Sequence, residues 1–183
     1  MSTQDARFTP LARLLHWLMA AMILIMLFVG IGMVSSTTER YRYLVALHRP
    51  LGILILILAV VRLTNRVLNP PPPLPASLPK VQQMAATVSH ILLYALMFIM
   101  PLLGWAMLSA APYPIDLFGT LELPAILSPD AGLYAELRAL HTDFALLFYA
   151  VILLHLGAAL IHAWIRRDGV FRSMAGGRRS PTP

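Results

Sequence analysis

The chain has 183 residues, 58% of them hydrophobic and 12% charged, with a formal net charge of +6 and a mean hydropathy of +0.73. A water-soluble domain carries about 25% charged residues, so this composition excludes one and leaves an integral membrane protein with room for about four helices of roughly 20 residues each. Cysteine is absent, which removes disulfides, iron–sulfur clusters, covalently attached c-type haem and thiolate zinc sites.

In chain order, Arg7 and Arg13 precede an uncharged run over 14–38. That run is too long for the apolar core of a signal peptide, and no small-residue cleavage site follows it. The first span is therefore expected over 11–34. The second is expected over 44–67, with Arg49 and Arg62 near its two ends. Next comes Asn69-Pro-Pro-Pro-Pro-Leu-Pro75, a stiff polyproline segment. A spacer between helices explains it better than an SH3-type ligand does. The third span is expected over 84–110, with a kink at Pro101. The loop over 111–136 carries Leu117, Phe118, Leu121, Leu123 and Ile126, which are expected on the outer membrane face or as a cap on the bundle. The fourth span is expected over 137–165. No internal repeat is present. The fold class is an all-α membrane protein, a four-transmembrane-helix bundle. It forms a single membrane domain over 1–183, with the bundle over 7–174 and a basic tail over 175–183.

Basic residues set the orientation. Arg7, Arg13, Arg62, Arg66, Lys80, Arg166, Arg167, Arg172, Arg178 and Arg179 lie on one side, ten of the fourteen Lys and Arg. Arg40, Arg42, Arg49 and Arg138 lie on the other, beside Glu39, Asp116, Glu122, Asp130 and Glu136. The positive-inside rule then places both termini in the cytoplasm. The same distribution explains the pI near 10.3 without any nucleic acid.

Six histidines carry the chemistry: His16, His48, His90, His141, His155 and His162. An ionisable side chain within a bilayer is costly and marks a functional site, and imidazole is an axial ligand to haem iron. His48 and His141 fall near the outer ends of spans two and four, at about one depth. His155 follows His141 by fourteen residues, ~21 Å along the helix and back on nearly the same face. His16, in the inner part of span one, can face it. Two imidazoles at one depth, repeated ~20 Å away, suit two stacked haems b, each iron held on both axial sides. Such sites favour electron transfer over oxygen binding. A hydrogen-bonded polar side chain accounts for any single histidine, but not for two depth-matched pairs in helical phase. A di-iron bundle needs inward glutamates, where these spans hold essentially Asp143, and a zinc site needs four ligands close together.

His90 and His162 are surplus, both on the inner side. His162 shares the His155 stripe and remains open as the partner of His16, although His155 keeps the two sites better separated. The surplus pair is a candidate quinone pocket, although hydrogen bonding to haem propionates or to interfacial water accounts for it slightly better. Arg49, Arg62 and Arg138 are candidate propionate partners, because guanidinium forks match carboxylates. Snorkelling at helix ends accounts better for Arg66 and Arg166. Gly30, Gly32, Gly52, Gly104 and Gly157 admit either a haem face or a close helix.

From Arg7 to Met174 the chain resembles the bacterial cytochrome b561 family of small di-haem membrane cytochromes. The resemblance rests on His16-Trp17, His48 followed by Gly52, Val60-Val61-Arg62-Leu63, the Pro-rich loop, Ser89-His90 with Tyr94, and Pro101-Leu-Leu-Gly104. It continues in span four with Leu140-His141, Leu154-His155, Ala158-Ala159-Leu160 and His162. It implies axial ligation by His16, His48, His141 and His155, paired His16 with His155 and His48 with His141. It also implies an iron-containing haem protein of the bacterial inner (plasma) membrane that exchanges electrons with the quinone pool of the respiratory chain, ubiquinone being the candidate bound partner. Some members are similar to superoxide oxidases, and Thr142-Asp143 after His141 is less family-like, so the outer donor site transfers least.

Three functions follow. The first is a di-haem electron carrier, taking electrons from an outer-side donor that is a small molecule or a protein. The second is a superoxide:ubiquinone oxidoreductase. The third is a non-redox membrane anchor or transporter with structural histidines. Pairing of two chains as a homodimer is left open.

Overall fold

The computed structural model describes residues 7–37, 39–75, 78–113, 115–117, 119 and 121–176. Phe118, Arg178, Arg179 and all but the first two residues of the basic tail lie outside them.

Four long apolar helices span the membrane. Helix α1 (Pro10–Val34) starts at Thr9, whose hydroxyl accepts from the Ala12 N–H at 3.2 Å, with Pro10 at the first helical position, where its missing N–H costs nothing. Helix α2 (Glu39–Leu68) begins five residues before the apolar run, with a polar first turn, and carries Pro50 inside it. Helix α3 (Lys80–Ala110) continues through Pro101. Helix α4 (Ala131–Leu160) is capped by Asp130, which accepts from the Leu133 N–H at 2.9 Å. Helices α2, α3 and α4 all start earlier than the hydropathy edges, because an apolar run marks what lies in hydrocarbon, whereas the helix extends until its backbone meets water.

Smaller elements join the four long helices. Strands β1 (Ile115–Leu117) and β2 (Leu121–Leu123) form an antiparallel hairpin with Asp116 opposite Glu122. Gly119 in its turn has φ 75°, the left-handed region that suits glycine, and its N–H donates to the Asp116 carboxylate at 2.7 Å. The hairpin packs on α2, burying Ile115, while Leu121 and Ile126 are exposed. After α4 the backbone widens into a π-helical turn (Ile161–Arg166), followed by the short helix α5 (Val170–Ala175).

Helix α1 packs along α2, α3 along α4, and α2 along α3, whereas α4 meets α1 and α2 only sparsely. The α1–α2 and α3–α4 hairpins thus face one another along a seam. The buried core fills its middle with Met19, Ala59, Leu96, Met97, Phe148 and Val151, drawn from all four helices. At the basic end, Phe8 and α1 meet the last turn of α5. The Phe8 N–H donates to the Ser173 carbonyl at 3.3 Å, and the Trp17 indole donates to the Met174 carbonyl at 3.3 Å.

Candidate functional site

Histidine rings bridge the seam between the hairpins at two levels. His48 on α2 and His141 on α4 have ring centres 6.2 Å apart, their planes at 67°. His16 on α1 and His155 on α4 have ring centres 6.4 Å apart, at 66°. The two levels lie on opposite sides of the apolar core, with Phe148 seven residues from both His141 and His155.

The separation of each pair is a chemical clue. Two imidazoles bonded in line to one metal at about 2 Å each have ring centres roughly 6 Å apart. Both pairs meet that distance. One facing pair of rings per level is too few for a zinc or di-iron centre, and among the described residues no group of three or more His, Asp or Glu is placed to hold a metal ion. Haem iron takes four bonds from its macrocycle and needs only two more. At the outer level the Nδ1 atoms of His48 and His141 are buried and, among the described residues, lack a hydrogen-bond partner. The glycines divide by role. A Cβ at Gly32 would come within 2.9 Å of the Leu44 side chain, so Gly32 serves helix packing. A Cβ at Gly104 would stand 3.4 Å from His141 Cε1, so Gly104 makes room for that ring. Gly30 and Gly157 face open space, whereas Gly52 stands at ordinary contact distance from Met26.

Arg62 lies against the inner pair. One of its terminal nitrogens is 3.0 Å from His16 Nδ1, and its Nε donates to the Tyr94 hydroxyl at 3.1 Å. The guanidinium groups of Arg62 and Arg66 stand 5.9 and 5.6 Å from the Tyr94 ring centre. Arg49 lines a cavity with Ala46, Asp116 and Gly119 beneath the outer hairpin. Arg138 is exposed on α4, its carbonyl accepting from the Thr142 hydroxyl at 3.0 Å.

The surplus histidines separate. His90 on α3 packs its ring against His155, centres 5.6 Å apart, so His155 stands between two imidazoles. His162 lies in the π-helical turn, with its Nδ1 2.6 Å from an Asp168 carboxylate oxygen. Asp168 also faces Arg166 Nε at 3.6 Å, and Arg166 reaches back to Gln82 on α3. Thus the ring that meets His16 is His155, while the ring of His162 meets Asp168.

Asp168 and the supporting role of Tyr94 escape the sequence. Six residues apart on a regular helix, positions 162 and 168 would point about 120° apart. They meet because the backbone widens to π and then turns at Arg167, φ 51°. No periodicity signals that. Tyr94 is visible as part of a motif, but its contact with Arg62 needs α2 and α3 side by side.

A family model described as prokaryotic cytochrome b561 matches residues 7–177. The chain is 33% identical over 174 residues to cytochrome b561 homolog 2 of Escherichia coli (strain K12), covering 93% of this chain and 92% of that protein. It is 28% identical over 186 residues to cytochrome b561 homolog 1 of the same strain, covering 94% and 99%. A protein of Yersinia pestis named probable superoxide oxidase CybB is 28% identical over 169 residues, covering 90% and 93%.

Proposed function

The chain belongs to the prokaryotic cytochrome b561 family, and from that premise we propose that it is a di-haem b-type cytochrome that carries electrons across the bacterial inner membrane and exchanges them with the quinone pool. The carrying observation is the two ring pairs, 6.2 and 6.4 Å between centres, at two depths in the seam between the helical hairpins. In this reading His16 and His155 hold the inner haem, and His48 and His141 the outer one. Haem bound at each level would supply a one-electron carrier.

The chain's own residues supply the rest. Arg62 offers a cation to an inner propionate, and Arg49 and Arg138 do so on the outer side. His90 packs against His155 and orients its ring. The apolar side chains around Phe148 keep water out of the space between the levels. On the inner side, His162 is the residue for a ubiquinone head group. Asp168, at its Nδ1, fixes the ring so that Nε2 is the atom available to exchange a proton with a quinone oxygen. Ten of the fourteen Lys and Arg put that end, with both termini, in the cytoplasm.

Haem content of the purified protein tests the proposal. Two haems per chain by pyridine haemochrome are expected, with one lost in His48→Ala and one in His155→Ala. Loss of a haem in His162→Ala but not in His155→Ala would refute the ligand assignment. A second reading, superoxide:ubiquinone oxidoreductase, is favoured by the name of the Yersinia pestis relative. Rapid quinone-dependent loss of superoxide supports it, and its absence leaves the carrier reading. A cytochrome family leaves the non-redox anchor or transporter without support.

A further inference from the structure

The two histidine levels differ in the charge beside them. A cavity on the inner side is lined by Arg62, Arg66, Asn65, Asn69 and Tyr94 with apolar neighbours and, among the described residues, no acid. Arg62 reaches from it to within 3.0 Å of His16 Nδ1, and Arg66 stands behind on the same Tyr94 ring. Among the described residues the inner-side acid is Asp168, which is occupied with His162 and Arg166, so its charge is offset where it stands. On the outer side, the cavity below the hairpin brings Asp116 together with Arg49, one carboxylate with one cation. Arg62 and Arg66 thus present two cations to the inner level, while the cations and acids of the outer level roughly balance.

A positive charge beside a haem favours the reduced iron, whose charge is one unit lower, and it acts more strongly where the surroundings are apolar. We propose that Arg62, backed by Arg66, makes the His16–His155 level the stronger electron acceptor of the two. An electron entering at the His48–His141 level then passes inward. The outer centre is oxidised by one electron, the inner centre is reduced by one, and no proton or further reactant enters the step. The inference rests on the di-haem reading and adds to it a direction and the residue that sets it.

Arg62 also bonds Tyr94, so a purely structural role must be separable from a charge role. Optical redox titration does this in the His48→Ala background, where the di-haem reading leaves a single inner haem. Arg62→Gln is expected to lower its midpoint potential, Arg62→Lys to hold it near the parent value, and Tyr94→Phe to leave it in place. In the two-haem protein, Arg62→Gln is expected to shift the higher-potential wave downward and not the other; a shift confined to the lower-potential wave overturns the inference. An unmoved potential in Arg62→Gln, an equal shift of both waves, or a fall in Tyr94→Phe as large as that in Arg62→Gln overturns the inference. A His48→Ala protein that holds two haems or none overturns the di-haem reading itself, and this inference with it.

Discussion

Gly104 offers a sharp test of the outer site, because it probes the position of a ring without touching the ring. A Cβ at this position would stand 3.4 Å from His141 Cε1 and 3.8 Å from its Nδ1. Gly104→Ala therefore asks the ring to give by a few tenths of an ångström. Gly104→Val adds two more methyl groups, at least one of them pointing into the space of the imidazole. Relieving that overlap moves His141 away from α3 and breaks the 6.2 Å pairing with His48. Overpacking of this kind costs about 1–3 kcal/mol. Charged against retention of the outer haem, it corresponds to roughly 5- to 150-fold weaker binding. The assay is haem per chain by pyridine haemochrome after purification at limiting haem, with low-spin absorbance as the second readout. Gly104→Ala is expected to stay close to two haems, and Gly104→Val to fall toward one, with inner-haem absorbance intact. Two full low-spin haems in Gly104→Val would refute the placement of His141 as an outer ligand.

Three further outcomes are expected. His16→Ala and His155→Ala should each remove the same haem, and the double variant should remove no more than either alone, read from the two α-band components. Asp168→Asn and His162→Asn should keep both haems yet slow quinone-dependent reoxidation of the reduced protein, on the order of 10²-fold for loss of a positioned proton donor, as followed by stopped-flow absorbance. Phe148→Ala should lower stability by less than the about 3–5 kcal/mol typical of water-soluble cores, because lipid tails solvate an exposed phenyl ring almost as well as the bundle does. Thermal unfolding in detergent measures it, and an unchanged melting temperature would show that the buried ring does not hold the two levels apart.

Much of the architecture is legible in one dimension. Uncharged runs long enough to cross hydrocarbon mark four spans, because a membrane helix must satisfy its own backbone and exclude charge. Depth is legible too. At 1.5 Å and 100° per residue, fourteen residues place His141 and His155 on one stripe of α4 at two levels, and the structure has them there. The conformations that break helical regularity are not legible: the 115–123 hairpin, the π-helical turn and the left-handed Arg167. Their causes lie in contacts with other elements, such as Ile115 buried against the bundle and Arg166 reaching Gln82.

The sequence by itself determined the class of molecule, the number of crossings and the depth of each histidine, since composition and helical rise are properties of a single segment. Only the tertiary structure decided which ring lies beside which. It put His155 rather than His162 opposite His16, set His90 against His155, brought Arg62 onto His16 and joined His162 to Asp168. Lateral position depends on how side chains of different helices interlock, and no periodicity within one helix records its neighbour.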